Sequence, residues 1–127
     1  MKWNLFKEEL CNRAEWTVEI GMDDIREMED GGGEIFVFEA TTGDLSDNRM
    51  DVLMDALAKE WRGAPKTTIS RVLLLIEEPL SKPVTMDEVG RICDRLDELG
   101  PEDGGIVATW GCARRKDEVT RVVCAMR

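Results

Sequence analysis

The 127-residue sequence contains no histidine and no tyrosine. Without imidazole there is no Ser-His or Cys-His nucleophilic pair, no histidine metal ligand and no histidine general base. Catalysis, if any, falls to Asp, Glu, Lys, Cys or backbone groups. Positive charge is scarce as well: 17 Lys and Arg stand against 27 Asp and Glu, a formal net charge of −10. Such a surface repels a phosphate backbone and an anionic bilayer, so neither nucleic acid nor membrane is an expected partner. No apolar run approaches the roughly 18 residues of a membrane span, and Met1-Lys2-Trp3-Asn4 lacks a signal peptide's apolar region. A cytoplasmic protein is therefore expected. Cys11, Cys93, Cys112 and Cys124 form no C-x-x-C pair, which points to reduced thiols.

What is present is enough apolar residue, 43%, to build one core, and enough charge, 35%, to keep it soluble. Trp3, Phe6, Leu10 and Ala14 recur at helical spacing, and Trp16, Val18 and Ile20 alternate as a short strand does. Asp23 to Met28 suits one or two helical turns, stopped by Gly31-Gly32-Gly33. Ile35 to Phe38 is continuously apolar, as in a strand covered on both faces or lying at an interface. Met50, Leu53, Met54, Leu57 and Trp61 form one helical face, closed by Gly63 and Pro65.

Val72 to Ile76 is five apolar residues in a row, the pattern of a central buried strand. Thr85 and Glu88 form a capping box before the stripe Val89, Ile92, Cys93, Leu96 and Leu99, with Gly100-Pro101 as the stop. Ile106 to Trp110 and Val119 to Met126 read as two strands of a hairpin joined by the polar stretch from Gly111 to Asp117. The expected fold is α+β: a two-layer sandwich with a mixed four-stranded sheet (β-α-β-α-β-β), two main helices on one face, and a short N-terminal helix. Residues 1–16 form the helical lead-in and 17–127 a single globular unit.

Two features invite chemistry. The acidic residues Asp23, Asp24, Glu27, Glu29 and Asp30 lack the alternating spacing of a calcium loop and read as a solvated face. Cys112 stands beside Arg114, Arg115 and Lys116, whose charge would favour a thiolate; the plainer reading is an ordinary hairpin cysteine. Cys93 and Cys124 suit small core positions. Trp110, Arg114, Arg115 and Lys116 are the one compact basic stretch of an acidic chain; Trp with Arg is the composition of a binding hot spot, and the alternative is a solvent-exposed hairpin turn.

From about Thr17 to Arg127 the sequence resembles the C-terminal domain of FtsZ, the bacterial tubulin homologue that polymerises at the division site. Asp24-Ile25-Arg26 matches the helix start after the family's catalytic loop. Arg71 to Ile76 resembles its central strand, and Thr85-Met86-Asp87-Glu88-Val89 its following helix start. Glu118-Val119-Thr120-Arg121-Val122-Val123-Cys124-Ala125 is similar to its closing strand, E-[IL]-R-V-T-V-[IV]-A.

The family's nucleotide domain, with its G-G-G-T-G-[ST]-G loop, has no counterpart: Gly31-Gly32-Gly33 runs into Glu34-Ile35-Phe36 and reads as a connector. In the loop N-x-D-x-x-D the resemblance places Glu19 at the Asn, Gly21 at the first Asp and Asp24 at the second, so one carboxylate of the pair is present. The resemblance implies a non-catalytic interaction module, without cofactor or metal, that associates with itself or with a tubulin-like GTPase such as FtsZ, modulating or capping filaments in cell division. The alternative is a small oligomeric enzyme or ligand-binding domain with its site at a subunit interface, where Glu39, Asp44, Arg71, Glu77 and Arg121 lie at strand ends.

Overall fold

Five consecutive apolar side chains point alternately to two faces of a sheet, so the run from Val72 to Ile76 demands cover on both. The computed structural model, which describes residues 1–13, 15–61, 69–98 and 106–127, supplies it. The chain runs α1 (Trp3–Asn12), β1 (Trp16–Val18), α2 (Met22–Asp30), β2 (Phe36–Thr42), α3 (Arg49–Trp61), β3 (Arg71–Pro79), α4 (Met86–Asp97), β4 (Val107–Arg115) and β5 (Thr120–Met126). The strands form one sheet in the order β1-β4-β3-β5-β2. Only β3 and β4 are parallel; the other neighbours are antiparallel. Ala14, Gly63, Pro65, Leu99, Gly100 and Pro101, used above to mark helix ends, lie outside the described residues.

Val72, Leu74 and Ile76 face Met50, Leu53, Met54 and Leu57 of α3 and Val89, Ile92 and Leu96 of α4. Leu73 and Leu75 face Phe6 and Leu10 of α1 and Ile25 and Met28 of α2. Each such aliphatic side chain contributes about 1.5–3 kcal/mol of transfer free energy, which makes β3 the axis of both cores. The α+β sandwich is present, with two corrections. The sheet has five strands rather than four, because Trp16–Val18 pairs with the outer edge of β4. Both faces carry helices, so two layers become three: the lead-in helix is part of the packing, with Phe6 fully buried.

A third correction concerns the expected hairpin. Strands β4 and β5 are not paired; β3 lies between them. The stretch read as its loop is mostly strand, with Leu75 opposite Gly111 and Pro79 opposite Arg115. Gly111 marks a close approach instead of a turn. A Cβ there would lie 2.4 Å from Ile20 Cγ1 and 2.9 Å from the Val18 carbonyl oxygen. The connector at Gly31-Gly32-Gly33 does use glycine's freedom, since Gly32 and Gly33 have φ of 70° and 79°.

The capping box forms as expected: the Glu88 N–H donates to Thr85 Oγ1 at 3.2 Å and the Thr85 N–H to Glu88 Oε1 at 3.1 Å. Glu88 also receives a fully buried arginine. Arg49, the first residue of α3, donates to both Glu88 oxygens at 2.7 and 2.8 Å. Its terminal nitrogens further reach the Lys82 carbonyl at 2.7 Å, the Pro83 carbonyl at 3.0 Å and Thr120 Oγ1 at 3.3 Å. Those five bonds match the five N–H donors of a guanidinium.

Burial pulls the Glu88 carboxyl upward, but the bonds and charge of Arg49 and the bonds of Thr85 outweigh it and hold it below the usual carboxylate value. Removing one partner of a buried pair strands the other, so Arg49→Ala is expected to cost about 3–5 kcal/mol in urea unfolding. A loss of less than about 1 kcal/mol would contradict this account. Because the folded-state value of Glu88 is depressed, its stabilisation is full above the ordinary value of 4.5 and is lost as pH falls through the folded value. The urea midpoint should therefore drop on acidification below pH 4.5, and Glu88→Gln should show a smaller drop.

Candidate functional site

The parallel register of β3 and β4 brings Glu77 beside Ala113, Glu78 beside Arg114 and Pro79 beside Arg115. Alternation turns Glu77 to the α1/α2 face and Glu78 to the α3/α4 face, so two adjacent carboxylates have separate surroundings. Glu77 is 3% exposed. It receives Arg13 at 2.7 Å, Arg121 at 2.6 Å and Arg115 at 3.2 Å.

The same arginines bind further carboxylates. Arg13 holds Glu9 at 2.9 Å, Arg121 holds Glu9 and, at 2.8 Å, Glu39, and Arg115 holds Asp117 at 2.7 and 2.8 Å. Burial acts to raise the Glu9 carboxyl, yet Arg121 and Arg13 hold it below its usual value. Bonding by Arg115 depresses Asp117 to about 2. Burial opposes charge on Arg121, and Glu9, Glu77 and Glu39 together push its value up. Every carboxylate of this network is engaged by arginine, which suits it to joining α1, β2, β3, β4 and β5 rather than to moving protons.

Of the strand-end residues singled out above, Glu39, Glu77 and Arg121 converge here. Arg71 lies at the other end of β3, paired with Glu27 at 2.7 Å. Asp44 accepts from the Ser46 N–H at 2.8 Å, which closes a local turn.

On the other face Glu78 accepts from Thr17 Oγ1 at 3.0 Å and from the Val84 N–H at 2.6 Å. Cys112 lies beneath it. Burial first, and then the charge and hydrogen bond of Glu78, push this thiol up to about 12. Its setting is thus anionic and buried, which favours the plainer reading of an unactivated cysteine over a thiolate promoted by Arg114, Arg115 and Lys116. Burial also raises Cys124, and burial with Asp97 and Asp94 raises Cys93.

The basic stretch divides. Trp110 packs against the α3/α4 core, four residues or about 13 Å along β4 from Arg114. Arg115 is committed to Glu77 and Asp117. Arg114 and Lys116 are exposed and form no ion pair among the described residues. They line a cleft of about 440 Å³ with Glu15, Trp16, Leu80 and Arg115. The cleft runs on past Glu15 toward Glu9, Asn12 and Arg13.

The tryptophan beside these cations is therefore Trp16, which sequence reasoning missed. It is distant along the chain and arrives only because β1 pairs with β4, Trp16 opposite Ala113. Leu80, 63% exposed, completes the apolar part.

At the position that resembles a catalytic loop, Glu19 is exposed, while Asp24 Oδ2 accepts the Gly21 N–H at 2.9 Å. Asp24 thus closes the first turn of α2. Among the described residues no group of three or more Cys, Asp or Glu is placed to hold a metal ion. The thiol settings yield an ordering: with a disulfide reagent at neutral pH, exposed Cys11 should react fastest, and Cys112 and Cys124 should react only on unfolding. Rapid modification of Cys112 in the folded protein would contradict the anionic setting described here.

No family model and no curated protein matches the sequence. Solved structures do match the fold. An FtsZ dimer from M. jannaschii superposes with a TM-score of 0.67 at 14% identity, over 93% of this chain and 33% of that one. A point variant of M. jannaschii FtsZ gives 0.71 at 12% identity, over 99% and 41%. The four-stranded filament of TubZ-Bt gives 0.67 at 12% identity, over 91% and 29%. This chain thus spans well under half the length of the proteins it matches. By fold it is an FtsZ- and TubZ-like domain, consistent with the C-terminal domain to which the sequence resemblance pointed.

Proposed function

We propose that this chain is a non-catalytic assembly module that binds itself or a tubulin-like GTPase such as FtsZ, through the cleft around Arg114 and Lys116. The observation that carries this reading is local: two exposed cations without carboxylate partners among the described residues stand beside Trp16 and Leu80, on a chain of net charge −10. Opposite charge steers an acidic partner to that cleft and fixes its orientation, while Trp and Arg are the residues that anchor interfaces. Proteins that share the fold are described as a dimer and as a four-stranded filament, which supports an assembly role.

The non-catalytic part rests on Gly21, which offers no carboxylate, and on Asp24, whose oxygen is already committed to the α2 cap. The competing idea of a ligand site among Glu39, Glu77 and Arg121 gains no support, because these groups satisfy one another.

Purified protein added to polymerising FtsZ at equimolar ratio should change both the sedimented fraction and GTP turnover. Reversing both cations (Arg114→Glu with Lys116→Glu) should weaken the effect about tenfold, and raising the salt should weaken it in the parent protein. No change in sedimentation or turnover at stoichiometric excess would sink the proposal.

A further inference from the structure

The sheet has two edges, and they differ. At one, β1 is three residues long with an irregular register against β4. At the other, β2 is a regular seven-residue strand that, among the described residues, pairs on one side only, to β5.

The direction of its backbone groups follows from a bond two strands away. Arg127 and Arg71 exchange both N–H···O bonds, at 3.0 and 3.0 Å. Alternation along β5 then turns Arg121, Val123 and Ala125 toward β3, and Thr120, Val122, Cys124 and Met126 toward β2. Their β2 partners are Thr42, Ala40, Phe38 and Phe36. Val37, Glu39 and Thr41 therefore point their N–H and C=O groups out of the sheet. The Met1 ammonium agrees with this geometry, since it donates to the Val37 carbonyl at 3.4 Å. Among the described residues no other backbone bond reaches this row.

An open edge normally carries a guard such as proline, lysine, a bulge or an inward charge. Strand β2, Phe-Val-Phe-Glu-Ala-Thr-Thr, has no proline, glycine or lysine. Its one charge, Glu39, is neutralised by Arg121 at 2.8 and 3.0 Å.

We propose that two copies of this chain pair through β2, antiparallel about a two-fold axis at Ala40, and continue one sheet across both molecules. The strand is complementary to itself in that register. Glu39 exchanges both backbone bonds with Thr41 of the second copy, and Thr41 with its Glu39, so no like charges oppose. Ala40, the smallest side chain of the strand, meets its own counterpart at the axis. The half-buried Phe36 and Phe38 gain cover on the α3/α4 face. This pairing goes beyond the assembly reading above, because it uses the opposite edge of the sheet from Arg114 and Lys116 and stands without them.

Sedimentation equilibrium of the full chain at tens to hundreds of micromolar should give a dimer of the 14.4 kDa subunit. Thr41→Pro removes an N–H that the fold itself does not use. Thr41→Glu sets a carboxylate opposite Glu39 and keeps that N–H. Both should raise the dimer dissociation constant at least about tenfold with unchanged circular dichroism. Hydrogen exchange should slow at Glu39 and Thr41 with rising concentration. A chain that stays monomeric throughout, or a dimer that persists in folded Thr41→Glu, overturns the proposal; should Thr41→Pro fail to fold, Thr41→Glu decides.

Discussion

Arg49 is the interaction on which the rest of the arrangement depends. Its guanidinium sits at the start of α3, fully buried, and its bonds bind together the start of α4, the loop through Lys82 and Pro83, and the first residue of β5. The attraction between buried charges repays their desolvation only where good geometry and further hydrogen bonds satisfy the remaining donors. Here the segments that leave β3 and enter β5 are shaped around the fork of one side chain. The cap of α4 belongs to the same unit, because Glu88 serves Thr85 and Arg49 at once.

The opposite face is tied by a different device. Glu77 gathers Arg13, Arg115 and Arg121, and these gather Glu9, Glu39 and Asp117. This network secures α1 to the sheet, where the helix also places Phe6 and Leu10 in the core. Its cost in surface charge is informative: with Arg13, Arg115 and Arg121 committed, only part of the basic stretch remains for outside partners. Arg114 and Lys116 stand out as a surface feature because their neighbour Arg115 does not.

Legibility in the sequence followed the range of the interaction. The stripe of α3, the capping box of α4 and the apolar run of β3 depend on near neighbours, and their residues announced them. The α1 stripe was legible too, but its destination was not, because a stripe states that a face is buried without saying against what. The stretch from Gly111 to Asp117 reads as a hairpin connection, since a glycine opening a polar stretch looks the same whether it bends the chain or admits a neighbouring strand. Arg49 gave no signal: its partner lies 39 residues away, and a lone arginine after Asn48 resembles a surface residue. Trp16 joined the cleft, and Trp110 left it, only once β1 was seen against β4.

The position of β5 has a consequence for how the molecule comes to be folded. Residues 120–126 fill the place between β3 and β2, so a nascent chain that has already made β2, α3 and β3 cannot join β2 to the growing sheet. Until β5 emerges, β2 has neither of its edges paired and Arg49 lacks Thr120. Such a chain exposes apolar strand until β5 has been made, and it completes its sheet from the inside. Closing the sheet therefore depends on how quickly the seven residues of β5 find the gap left for them.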